Sequence, residues 1–189
     1  MRLVLLRHAA TAGNEEHRYV GMRTDEPLSR RGVEQCARFG TCTDVDKVYV
    51  SPMLRARQTA ELCFPRARIL PVPGLEEFDF GDFEGRTPDQ MEHDAAYRTW
   101  VDGNCEGQCP GGESLKDFVR RTKDALFGLL RAANKRGEER VVVVAHGGTI
   151  MAALDGFYNK HVGNCEGYEG TVRFEGDIAI LCDDFVIRG

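Results

Sequence analysis

"LVLLRHAATAGN", residues 3–14, runs apolar residues directly into Arg7 and His8 and then into small, turn-prone residues. A short run of Leu and Val, apolar on both faces, reads as a central strand of a sheet covered on both sides. In open α/β sheets ligands bind beyond the carboxyl ends of the strands, which is where Arg7 and His8 would stand. The stretch "RVVVVAHGG", residues 140–148, repeats the arrangement with His146, Gly147 and Gly148. A lone histidine after a strand is more often a loop residue. Two of them, at the same end of the two most apolar strands, would face each other across one crevice if those strands are neighbours.

"KVYV" (47–50) and "RILPV" (68–72) are further short apolar strands, and helical patterns alternate with them. Ser29 opens a helix through Val33, Cys36 and Ala37; Pro52 opens another across "MLRARQTAELC"; Ser114 caps a long one that ends near Asn134. In that last helix Leu115, Phe118, Val119, Thr122, Ala125, Leu126, Leu129 and Leu130 recur at helical spacing, a core stripe. "GTVRFEG" and "DIAILCD" read as a terminal hairpin turning near Glu175 and Gly176. The predicted fold class is α/β, a three-layer α/β/α sandwich with a mostly parallel central sheet. "GNCEG" occurs at 103–107 and again at 163–167, but the flanks do not match, so it reads as coincidence in two glycine-rich loops.

A chain of 189 residues, 42% hydrophobic, can bury one core, so a single domain over 1–189 is expected. The net charge of -5 and the pI near 5.6 argue against a broad nucleic-acid surface, so any anion site must be local. No apolar run is long enough to cross a bilayer and no secretory leader is evident, which leads us to expect a cytoplasmic protein with no membrane partner. Seven cysteines, an odd number in a chain too large to need staples, fit a reducing compartment. Cys105 and Cys109 could be grouped with Cys165, but the paired C-x-x-C spacing of structural zinc sites is missing, and no metal is expected. Monomer and homodimer both stay open.

Further charge converges on the crevice. Ser51 and Pro52 end "KVYV" at the same edge, so Arg55, in the first turn of the next helix, overlooks it, whereas Arg57 points elsewhere. Two guanidiniums and two imidazoles around one crevice suit a phosphoryl group, which Arg holds by paired hydrogen bonds. "GLEEFDFGDFEGRT", residues 74–87, interleaves Glu76, Glu77, Asp79, Asp82 and Glu84 with Phe78, Phe80 and Phe83. One of those carboxyls beside an anion site could serve as a general acid; the rest would be surface charges or caps. Residues 15–27 and the segment 87–114 would build the leaving-group pocket, the latter as a cover over the site. Met91, Tyr97 and Trp100 pack there on substrate or in the core, and His17, Arg18 and Arg23 either meet a second acidic group or stand in solvent.

"LRHAATAGN" resembles the Arg-His-Gly-Glu/Thr signature of the histidine phosphatase, or phosphoglycerate mutase-like, superfamily. "SPMLRARQTA", "LEEFDFGDFEG", "PGGES" and "VVVVAHGG" match its later motifs in order, so the resemblance covers essentially the whole chain. It implies that His8 is a nucleophile forming a phosphohistidine, with Arg7, Arg55 and His146 completing a phosphate pocket and Asn14 adding a hydrogen bond. It implies further that Glu77 is the proton donor, with Glu76 at a variable place, and that Gly147 is a close-packed backbone position. No cofactor is implied. The chain departs from the family at Ala9 and Ala10, where Gly and then a larger residue are usual; were a positive φ required there, Ala would cost about 1 kcal/mol. Only residues 147–189 follow the second histidine, too few for the shielding extensions of the mutases. The expected function is therefore metal-independent hydrolysis of a small phosphate ester, α-ribazole phosphate among the candidates. Mutase-type phosphoryl transfer and a catalytically impaired binding domain are the alternatives.

Overall fold

The structure, a computed structural model, describes residues 1–155, 161–182 and 184–188. Its sheet is built around two strands, β1 (Arg2–Arg7) and β4 (Arg140–Ala145), which pair in parallel with Arg7 opposite Ala145. β2 (Lys47–Val50) lies on the other side of β4, and β3 (Arg68–Pro71) at the edge, giving the order β3-β2-β4-β1-β5-β6. These four strands are mutually parallel; β5 (Gly167–Glu175), β6 (Ile178–Leu181) and β7 (Val186–Arg188) add an antiparallel flank. The terminal hairpin turns at Gly176, which takes a left-handed φ of 59° as its turn requires. β5 starts earlier than the apolar pattern predicts, because its first residues pair with both β1 and β7.

Alternation along the strands divides the core. Leu3, Leu5, Val141 and Val143 face the side covered by α5 (Leu115–Lys135) and α6 (Gly147–Ala153), among them Leu126, Leu130 and Ile150. Leu6, Val142, Val144, Val48 and Val50 face the side covered by α2 (Arg30–Phe39) and α3 (Leu54–Cys63), among them Ala56 and Ala60. The three-layer sandwich follows, each strand being apolar on both faces because both are covered. A third cluster, Phe78, Phe83, Met91, Trp100 and Phe118, joins α4 (Ala95–Asp102) to the start of α5 beside the strand ends.

Helix boundaries follow the caps. Ser29 accepts the Gly32 amide and Ser114 the Asp117 amide. The stripe of α5 is buried at Phe118, Thr122, Leu126 and Leu130 as expected. The stripe of α2 is not as expected: Val33 and Ala37 are exposed, and Gly32 and Cys36 carry the contact. Gly32 is needed because a Cβ there would fall 2.1 Å from the Ala10 carbonyl oxygen, so α2 seats directly against the loop that follows His8. Among the described residues no helix is long and apolar enough to cross a membrane.

Candidate active site

The parallel register of β1 and β4 sets the site. With Arg7 opposite Ala145, the next residues are His8 and His146, whose ring centroids are 5.1 Å apart at an edge-to-face angle of 65°. Both are buried, at 3% and 0% exposure. His8 Nδ1 lies 2.7 Å from the Ala9 carbonyl oxygen, an acceptor only, so Nδ1 carries the proton and Nε2 keeps a lone pair. Burial, reinforced by Arg55 and Arg7, holds the His8 imidazole well below its usual pKa of 6.5 against the opposing Ala9 bond. Burial also lowers His146, followed by Arg55, His8 and Arg7. Both rings are therefore neutral at pH 7, as a nitrogen nucleophile needs.

His146 Nε2 meets the Ser51 hydroxyl at 2.7 Å, and that hydroxyl also accepts the Met53 amide. Ser51 is placed by the end of β2, whose Val50 lies opposite Val144. His146 Nδ1 is buried with no partner among the described residues.

Arg55 lies in the first turn of α3 and is wholly buried. Its Nη atoms donate to the carbonyls of Thr24 (2.7 Å) and Gly21 (3.1 Å), and its Nε has no partner among the described residues. Arg7 Nη1 donates to the Val162 carbonyl at 2.8 Å, and its buried Nε likewise has none among them. Burial lowers both guanidinium pKa values, with Glu77 the first opposing influence on each. Neither forms an ion pair among the described residues. Buried cations satisfied only by carbonyls leave a positive potential that an anion would compensate. Arg57 is exposed, as the helical spacing predicts.

The five carboxylates of 74–84 separate by partner. Glu76 accepts the Gly74 amide and lies 3.7 Å from Arg121. Asp79 pairs with Arg23 at 2.7 Å, and Glu84 accepts the Gly21 and Arg23 amides and the Thr24 hydroxyl. Asp82 is exposed. Glu77 alone is in the pocket wall: it is 9% exposed, its Oε2 accepts the Gly148 amide at 3.0 Å and its Oε1 the Phe78 amide at 3.0 Å. Arg121 fixes this turn by donating to the carbonyls of Gly74, Glu76 and Glu77.

The close-packed glycine is Gly148 rather than Gly147. A Cβ on Gly148 would stand 2.4 Å from Glu77 Oε1, whereas one on Gly147 would approach Arg7 Nε no closer than an ordinary 3.4 Å. Gly147 opens α6 and lines the pocket. Only a backbone N–H and a missing Cβ mark Gly148, and sequence spacing displays neither.

Ala9 and Ala10 fit without strain, since neither takes a positive φ. Ala9 N–H donates to Thr59 Oγ1 and Ala10 N–H to Gln35 Oε1, so both backbone donors behind His8 are satisfied. Asn14 closes a capping box with Thr11, and its Oδ1 also accepts from Asn164 Nδ2, which donates in turn to the His8 carbonyl. Asn14 Nδ2 donates in none of the hydrogen bonds made by the described residues. The second "GNCEG" copy is thus no idle loop: Cys165 N–H reaches the carbonyls of Arg7 and His8, and Asn164 clamps the His8 backbone. The first copy reaches the same site, Asn104 and Cys105 lining its pocket.

That pocket, about 420 Å³, opens beside Arg7 and Glu77 and is walled by Phe78, Phe80, Trp100, Leu115, Phe118 and Met151. Trp100 is both core and wall, while Met91 is core. Arg18 pairs with Glu16 and His17 is exposed. Cys105 and Cys109 lie in the aromatic cluster, apart from Cys165; among the described residues the thiols that approach one another are Cys36, Cys63 and Cys165, within 4.8 Å.

Known proteins resemble this chain over most of its length. The chain is 30% identical over 176 residues to a 2,3-bisphosphoglycerate-dependent phosphoglycerate mutase of Methylobacterium radiotolerans, covering 85% of this chain and 82% of that one. It is 28% identical over 195 residues to a Hydrogenobacter thermophilus protein provisionally named a phosphoserine phosphatase, covering 95% and 93%. The α-ribazole phosphatase structure from Shigella flexneri superposes with a TM-score of 0.76 at 26% identity, over 96% of this chain and 95% of that one. Residues 3–171 match the model of the histidine phosphatase superfamily (branch 1), and the chain belongs to that superfamily.

Proposed function

We propose that the protein is a metal-independent phosphomonoesterase working through a phosphohistidine on His8. The observation that carries this reading is the neutral His8 Nε2 set beside two buried guanidiniums with unpaired Nε atoms, with Glu77 in the adjoining pocket wall. His8 Nε2 attacks phosphorus in line, forming the N–P bond as the P–O bond to the alcohol breaks. The Glu77 carboxyl gives its proton to the departing oxygen. Arg7, Arg55, His146 and Asn14 compensate charge on the equatorial oxygens, so the rate comes from positioning and fixed electrostatics. Water then attacks the phosphohistidine, its proton passes to the Glu77 carboxylate, and His8 returns to its neutral form as phosphate leaves.

The working unit in this reading is one domain, 1–189, acting on a small phosphorylated metabolite, with 87–114 as cover and wall. α-Ribazole phosphate belongs in the first screen, given the likeness to the Shigella flexneri phosphatase. The test is hydrolysis of p-nitrophenyl phosphate in EDTA by the wild type, His8→Ala and Glu77→Gln. Turnover lost in His8→Ala and slowed in Glu77→Gln is expected. Full activity in His8→Ala would sink the mechanism. A folded wild type that retains phosphohistidine and transfers it only to a second alcohol would favour the mutase reading.

A further inference from the structure

The pocket beside the nucleophile also says what kind of alcohol it holds. Phe78, Phe80, Trp100, Phe118, Leu115, Met151 and Val162 wall it, four of them aromatic. Among the described residues of its lining Arg7 is the only Arg or Lys, and that cation belongs to the phosphate. The guanidiniums that could have served a second acidic group are committed elsewhere. Arg23 donates to Asp79 and to the Gly111 carbonyl. Arg121 is held by Glu113 at 2.6 Å and by three carbonyls, with its Cζ 5.2 Å from the centroid of the Phe118 ring. Arg86 pairs with Asp94. Asn104 and His161 add hydrogen-bonding groups to the lining.

We infer that this pocket selects phosphate esters whose alcohol carries a flat apolar or heteroaromatic group and no second phosphate or carboxylate. This rests on the phosphomonoesterase reading and narrows it. A carboxylate placed among these rings would lose its hydration with no counter-charge among the described residues, whereas a ring buries apolar area against the existing faces. Phe80 and Trp100, with ring centroids 6.4 Å apart and nearly perpendicular, are the specificity-determining residues. The relatives named for phosphoglycerate and phosphoserine would accordingly differ from this chain in substrate.

The test compares primary-alcohol esters, so that leaving-group basicity is matched: 2-phenylethyl phosphate against O-phosphoserine and 3-phosphoglycerate. For the wild type, kcat/KM for the phenyl ester should exceed that for either acid by about 30-fold or more, mainly through KM. Leu115→Arg, at the half-buried first residue of α5, should narrow that ratio about tenfold by improving the acidic esters. Acidic esters hydrolysed as well as or better than the phenyl ester, or a ratio unmoved in a folded Leu115→Arg protein, overturns the inference and leaves the phosphatase reading standing. No hydrolysis of any ester, p-nitrophenyl phosphate included, or hydrolysis that survives His8→Ala, overturns the reading beneath it.

Discussion

Replacing Gly148 by Ala probes the contact that aims the Glu77 carboxyl. The added Cβ would lie 2.4 Å from Glu77 Oε1, against an ordinary contact of 3.4 Å, and the Gly148 N–H bond to Oε2 at 3.0 Å would stretch as the carboxyl moved away. The carboxyl must therefore retreat by about 1 Å, and a shift of that size at a reacting group costs about 100-fold in rate. The loss should depend on the leaving group. An alkoxide needs a proton as it departs, so kcat for 2-phenylethyl phosphate should fall about 100-fold; p-nitrophenolate needs none, so its ester should lose about tenfold or less. Gly147→Ala, whose Cβ makes only ordinary contact with Arg7, should affect the two esters equally. Steady-state kinetics on both esters, with circular dichroism to confirm folding, reads the difference. An equal loss on both esters in Gly148→Ala, or no loss at all, would refute Glu77 as the donor held by this contact.

Stability should fall in acid because His8 and His146 are buried as neutral rings. Their folded pKa values lie well below 6.5, so below that pH the unfolded chain binds protons that the folded protein refuses, and stability present above pH 6.5 is lost as the pH falls. Between pH 7.5 and 5.5 the pair should account for about 3 kcal/mol, measured by urea unfolding; a His8→Ala, His146→Ala double variant with an unchanged pH dependence would contradict the assignment. Ser51→Ala removes the 2.7 Å partner of His146 Nε2 and leaves a buried ring nitrogen unsatisfied, which should lower stability by about 1–2 kcal/mol. The same variant should reduce kcat more than it raises KM, and Ser51→Thr should recover part of the loss, an outcome that general destabilisation alone would not produce.

What the sequence displayed, and what it concealed, divides along the range of the interaction. The strand ends were legible because burial on both faces leaves a continuous apolar run, and a polar residue closing such a run is visible locally; hence Arg7, His8, His146 and the edge at Ser51. Arg55 was legible one step further, through helical spacing from that edge. Contacts across the chain were not. Asn164 reaches the His8 carbonyl from 156 residues away, and the repeated "GNCEG", which reads as coincidence in the sequence, did not single its loop out. Val33 lies on the helical pattern of α2 yet stands 46% exposed, because an apolar residue on a helix is buried only where a neighbour covers it. The aromatic residues between 78 and 118 were ambiguous for a different reason: a ring that walls a pocket is buried on one side by the same core contacts that would bury a purely structural ring. Trp100, 7% exposed yet in the pocket wall, serves as both. Identity and spacing therefore located the charged half of this candidate site, where charge is sparse and costly to bury, while the apolar half emerged only when the fold showed which apolar faces remain uncovered.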